Sequence, residues 1–117
     1  MAQPNITYRG MSSSPAMDAR INELAAKLDE FHPRITRCHV VMVETDKHKH
    51  KGNLFECHLD LHVPGHEIVA TEQPNEDAYV AITEAFAVAA RQLEDVVRIE
   101  RGEVKRHREE RGDNPIP

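Results

Sequence analysis

The sequence predicts an α+β fold. It is a two-layer β-α-β-β-β-α arrangement, with a four-stranded mixed sheet and both helices on one face. Three observations predict it. Two long segments repeat apolar residues at spacings of three and four, as a helix with one buried side does. Other runs alternate apolar and polar residues, as half-buried strands do. Pro64-Gly65 joins two of those runs as a tight hairpin turn.

The elements follow in order. Residues 4–9 are extended in character, because Ile6, Thr7 and Tyr8 favour a strand, and Gly10 ends it. Ser14 is the N-cap of the first helix and Pro15 its first helical position, which makes Ser12-Ser13-Ser14 a capping segment rather than a source of a nucleophile. Met17, Ile21, Leu24, Leu28 and Phe31 then form one stripe on a helix over 15–31, ended by Pro33. Residues 35–44 read as a strand with Cys38, Val40 and Met42 on one face and Arg37, His39, Val41 and Val43 on the other. Thr45 to Asn53 read as a polar loop. Residues 54–63 alternate, with Phe55, Cys57, Leu59, Leu61 and Val63 opposite Glu56, His58, Asp60 and His62, and residues 66–72 return beside them.

Asn75 is a plausible N-cap for a second helix over about 76–101. Ala78, Ile82, Ala85, Ala89, Leu93 and Val96 are its stripe, with Glu76 and Asp77 suiting the dipole of its first turn. Tyr79 is expected half-buried against the sheet. The first and second strands flank a helix, so they are expected as parallel neighbours, whereas the second to fourth form antiparallel hairpins.

At 117 residues the chain is one domain, taken as 1–101, followed by a charged and flexible tail over 102–117. The formal charge of −5 excludes broad attraction to nucleic acid, so any contact must be a local patch. Cys38 and Cys57 sit in strand-like runs without CxxC spacing and are expected as buried, reduced thiols. No signal peptide or membrane span is present, which points to a soluble, cytoplasmic protein.

The densest basic patch is Lys47-His48-Lys49-His50-Lys51. It reads as an RNA-contacting hairpin loop or as a loop kept soluble by its charges. Arg9, Lys27, Arg37, Arg91 and Arg98 extend it as a basic track over helices and sheet edge, or are ordinary surface charges paired with neighbouring acids such as Glu94. Eight histidines are many for this length. His48 and His50 are an alternative metal-ligand pair, but no motif supplies a complete ligand set, so no metal or cofactor is expected. If several histidines charge near pH 6, RNA affinity rises as pH falls. The sequence contains no nucleophile–base pair, paired-carboxylate signature or Gly-rich phosphate loop, which argues against an enzyme and a small-molecule substrate.

Glu76-Asp77-Ala78-Tyr79-Val80-Ala81-Ile82, followed by Arg91-Gln92-Leu93, resembles the second helix of the ribosome hibernation-promoting factor family, also called the ribosome-associated inhibitor family. Ile6, Arg9 and Gly10 resemble the end of that family's first strand, and Lys27-Leu28 its pair in the first helix. The resemblance covers roughly residues 5–101 and matches the short form of the family. It implies a non-enzymatic factor that binds the small ribosomal subunit and its rRNA in the decoding channel and inhibits or stores ribosomes in stress or stationary phase. A second, ribosome-dimerising factor is an additional candidate partner. The residues expected to carry RNA contact are Arg9, Lys27, Arg37, Lys47, His48, Lys49, His50, Lys51, Arg91 and Arg98, with Tyr79, Ile82 and Leu93 structural. One departure stands out. The family's second-helix lysines are replaced by Ala87-Val88-Ala89-Ala90 and Glu94-Asp95-Val96-Val97. The alternatives are a same-fold regulatory, protein-binding domain that has lost ribosome binding, and a histidine-rich metal-binding protein.

Overall fold

Six elements follow the predicted order. The computed structural model describes residues 3–46 and 52–102. They form β1 (Asn5–Arg9), α1 (Pro15–Phe31), β2 (Arg37–Asp46), β3 (Asn53–Val63), β4 (His66–Thr71) and α2 (Ala78–Glu100). The sheet order is β1-β2-β3-β4, with β1 parallel to β2 and the other pairs antiparallel. No described helix is long and apolar enough to cross a membrane.

Alternation sorts the sheet into two faces. Cys38, Val40, Met42, Cys57, Leu59, Leu61, Ile68 and Ala70 are buried on one of them. Onto this face pack Ile21, Ala25 and Leu28 of α1 and Ala78, Ala81, Ile82, Ala85, Phe86, Ala89 and Leu93 of α2. The helices therefore share one side of the sheet, α2 over β3 and β4 with α1 beside it. Cys38 and Cys57 are free thiols, and burial pushes them up to about 11 and about 12, where they stay protonated and unreactive at neutral pH.

The start of α1 is as predicted. Ser14 Oγ accepts from the Met17 backbone N–H at 3.2 Å, satisfying one open donor of the first turn. Gly10 has a φ of 73°, and a Cβ there would stand 2.5 Å from the Glu44 carbonyl oxygen. Only glycine lets the chain leave β1 so close to β2.

Four expectations are corrected. The α2 cap is Asp77, not Asn75: its side chain accepts from Tyr79 N at 2.9 Å, and the helix begins at Ala78. Asn75 cannot enter the helix because its backbone exchanges both hydrogen bonds with Phe55. Tyr79 is 41% exposed rather than half-buried against the sheet, since it lies off the Ala78–Ile82–Ala85 stripe. Phe31 continues the α1 stripe by spacing but is 75% exposed, because the buried line is Ile21–Ala25–Leu28 and Phe31 lies over the opening between the helices. The β2–β3 hairpin is longer than expected, paired out to Asp46↔Asn53, so β2 runs two residues past Glu44.

Candidate nucleic-acid interface

The open face of the sheet is a grid set by strand register. Arg37, His62 and Glu67 form one row. Asn5, His39, Asp60 and Val69 form the next, and Thr7, Val41, His58 and Thr71 the third. Arg9, Val43 and Glu56 close the grid. The two end rows meet β2 at Arg37 and Val43, six positions apart, a span of about 20 Å.

Every histidine of this face is engaged. His58 contacts Glu56 Oε1 at 2.9 Å and Thr71 Oγ1 at 3.0 Å. His39 contacts Thr7 Oγ1 at 3.2 Å. The Arg37 guanidinium, which has only donors, donates to His62 Nε2 at 3.2 Å. The central rows thus hold imidazoles and carboxylates, with the two arginines at opposite ends.

The second candidate surface lies on the other side of the molecule, between the helices. A groove of about 770 Å³ is floored by Leu24, Leu28, Phe86, Ala90 and Val97. Lys27 of α1, Arg98 of α2 and Arg101, the residue that caps α2, stand at it, with Glu94 as the acid among them. Arg98 is held by Asp95 one turn back. Arg34, in the segment after α1, donates to Glu100 Oε1 at 2.8 Å beside the groove's end.

The predicted track is therefore split. Arg9 and Arg37 belong to the open sheet face, while Lys27 and Arg98 belong to the interhelical groove. Arg91 is exposed on α2. Lys47, His48, Lys49, His50 and Lys51 lie outside the described residues, as does the tail from 103 onward. Arg101 was missed by sequence reasoning. Its three-residue offset from Arg98 was the available signal, obscured by its position at the helix end.

Comparison with known proteins adds four findings. The family model for sigma 54 modulation protein / S30EA ribosomal protein matches residues 5–99. The fold matches a ribosomal subunit interface protein from Coxiella burnetii with a TM-score of 0.69 at 17% identity, covering 80% of this chain and 96% of that one. It matches the N-terminal domain of Protein Y from Thermus thermophilus with a TM-score of 0.67 at 18% identity, covering 82% and 99%. No curated protein sequence matches the chain.

Proposed function

Because the chain belongs to the sigma 54 modulation protein / S30EA ribosomal protein family, we propose that it is a non-enzymatic cytoplasmic factor that binds the small ribosomal subunit. It contacts rRNA in the decoding channel and inhibits or stores ribosomes in stress or stationary phase. The observation that carries this reading is the family match itself, which runs from the start of β1 into the last turn of α2 and so includes all six described elements. The mechanism is steric: a rigid body anchored by phosphate contacts occupies space that messenger RNA needs. A ribosome-dimerising factor is a candidate second partner.

The electrostatics make the grip local. α2 carries Arg91 and Arg98 against Glu84, Glu94, Asp95 and Glu100, so the helix face alone repels phosphate. β2 ends at Asp46 and β3 begins at Asn53, both towards the Arg9 end of the sheet, and Lys47–Lys51 fall between them in the sequence. Those lysines and Arg9 supply the main contact, and Lys27, Arg98 and Arg101 a second.

Co-sedimentation with purified small subunits at ~100 and ~400 mM salt tests this. The chain is expected in the ribosomal pellet at low salt and released at high salt. Absence from the low-salt pellet overturns it.

One observation favours a second reading, a regulatory domain that binds a protein. The interhelical groove is apolar and Phe31 at its end is 75% exposed, an arrangement that suits an apolar side chain of a partner. Under that reading, Phe31→Ala abolishes partner binding and the low-salt pellet contains no chain.

A further inference from the structure

On the open sheet face, three side chains from two strands surround a gap. Asp60 and His62 stand two apart on β3 and project to the same side, and Glu67 of β4 is the register partner of His62. His62 Nε2 lies 3.7 Å from Asp60 Oδ1 and 3.4 Å from Glu67 Oε2. The three ligand atoms are all within 4.8 Å of one another. The two measured separations are longer than a good hydrogen bond, so the cluster is not closed by its own contacts.

A second, independent observation concerns Asp60. Its Oδ1 is buried and has no hydrogen-bond partner, and it is the one such side-chain atom among the described residues. That oxygen faces the gap beside His62 with no donor in hydrogen-bond reach among the described residues, and an ion there would supply its partner. We propose that Asp60, His62 and Glu67 form a binding site for a divalent transition-metal ion of the zinc class.

The spacing fits that ion. Zinc sits about 2.0–2.2 Å from imidazole nitrogen and carboxylate oxygen, and two such ligands on a tetrahedron are then about 3.3–3.6 Å apart. The observed 3.4 and 3.7 Å are close to that edge length before any ion enters. The donor set also fits. An imidazole disfavours magnesium and calcium, which take oxygen ligands, and two carboxylates balance the charge of a divalent cation. All three side chains are partly accessible, which leaves room for water in the fourth position.

Arg37 is the built-in competitor. Its guanidinium donates to His62 Nε2, the same lone pair a metal requires. It also holds positive charge beside the gap. An entering ion must displace it, and Arg37 is exposed enough to swing away. The site therefore couples metal occupancy to the position of one cation on this face.

The test is Zn²⁺ titration of the full chain by calorimetry, with Co²⁺ absorption in the visible as a probe of tetrahedral geometry. His48 and His50 are replaced by Asn in one variant to remove loop binding. One ion per chain is expected in both the natural sequence and that variant. His62→Asn is expected to weaken binding about 100-fold. Glu67→Gln, a shape-preserving change at an exposed position, is expected to weaken it at least about tenfold. Arg37→Ala is expected to tighten it about tenfold, because the competing charge is gone. Far-ultraviolet circular dichroism of each variant confirms that the fold persists. Unchanged affinity in both His62→Asn and Glu67→Gln overturns the site, as does loss of binding confined to the His48/His50 variant.

Discussion

The phenolic oxygen of Tyr8 lies 2.6 Å from Asp18 Oδ1 and 3.1 Å from the Ser14 carbonyl oxygen. The single phenol hydrogen goes to the carboxylate, the shorter and charge-assisted contact. This bond ties β1 to the first turn of α1, ten residues later. The loop between them is thereby closed by a side chain, beside the Gly10 turn and the Ser14 cap. Tyr8→Phe is expected to cost about 1–2 kcal/mol, read as a lower urea midpoint at unchanged slope. A midpoint within error of the parent would show the bond to be energetically idle.

Alkaline pH is expected to destabilise the protein. Burial, then the hydrogen bond to Asp18, raises Tyr8 from 10.0 to about 12, and burial raises Cys38 and Cys57 from 9.0 to about 11 and about 12. In all three the folded state favours the protonated form. Their stabilisation is complete below the unfolded values, near pH 9, and is lost as pH rises towards 12. Melting temperature measured from pH 8 to 11 is expected to fall steadily above pH 9, and less steeply in Tyr8→Phe. A flat profile would contradict the burial of these groups.

Two glycines with positive φ are expected to differ. Gly10→Ala meets the Glu44 carbonyl oxygen at 2.5 Å and also carries the left-handed penalty, whereas Gly65→Ala meets nothing within 4 Å. Gly65→Ala is expected to cost about 1 kcal/mol and Gly10→Ala at least about 2 kcal/mol more. Equal urea midpoints would mean that β1 and β2 separate freely at that end.

Core and groove residues are expected to separate by assay. Leu93→Ala, fully inside the helix–sheet interface, is expected to cost about 2–5 kcal/mol. Phe31→Ala, mostly exposed at the groove, is expected to stay within about 0.5 kcal/mol of the parent. Chemical denaturation of both variants checks the pair.

The basic residues are expected to contribute unequally to RNA binding. Each phosphate that the chain no longer neutralises takes up to about 0.9 off the slope of log affinity against log salt. Replacing Lys47, Lys49 and Lys51 together by Ala is expected to lower it by up to about 3. The pair Arg9→Ala and Arg37→Ala is expected to lower it by less than about 2, because about 20 Å separates their rows and Arg37 is engaged with His62. An unchanged slope in the lysine triple would move the contact to the Lys27, Arg98 and Arg101 side.

Much of the frame was legible because it rests on local periodicity. The Ser14 cap, the Pro15 start and the Ile21–Leu28 and Ala78–Leu93 stripes need only neighbours within a few residues. So do the β3 alternation and the Pro64-Gly65 turn. What failed locally was decided by distant partners. Asn75 looked like a cap, yet Phe55, from the preceding hairpin, holds it in extended pairing. Phe31 fits a stripe, yet the described residues leave its end of the groove uncovered.

The sequence by itself determined the order of elements, the parallel β1–β2 pair and the side of the sheet that each strand residue faces, since alternation and helical period depend only on spacing. It also marked the scaffold of a ribosome-related family. Only the tertiary structure decided which charges are neighbours. Strand register sets Glu67 opposite His62 and Arg37 on its other side, and the packing of α1 beside α2 puts Lys27 at the same groove as Arg98, from the far end of the chain. Register and helix crossing are properties of the packed core as a whole. Electrostatics falls off with distance in space, so the chemistry of this surface became readable only once that core had fixed those distances.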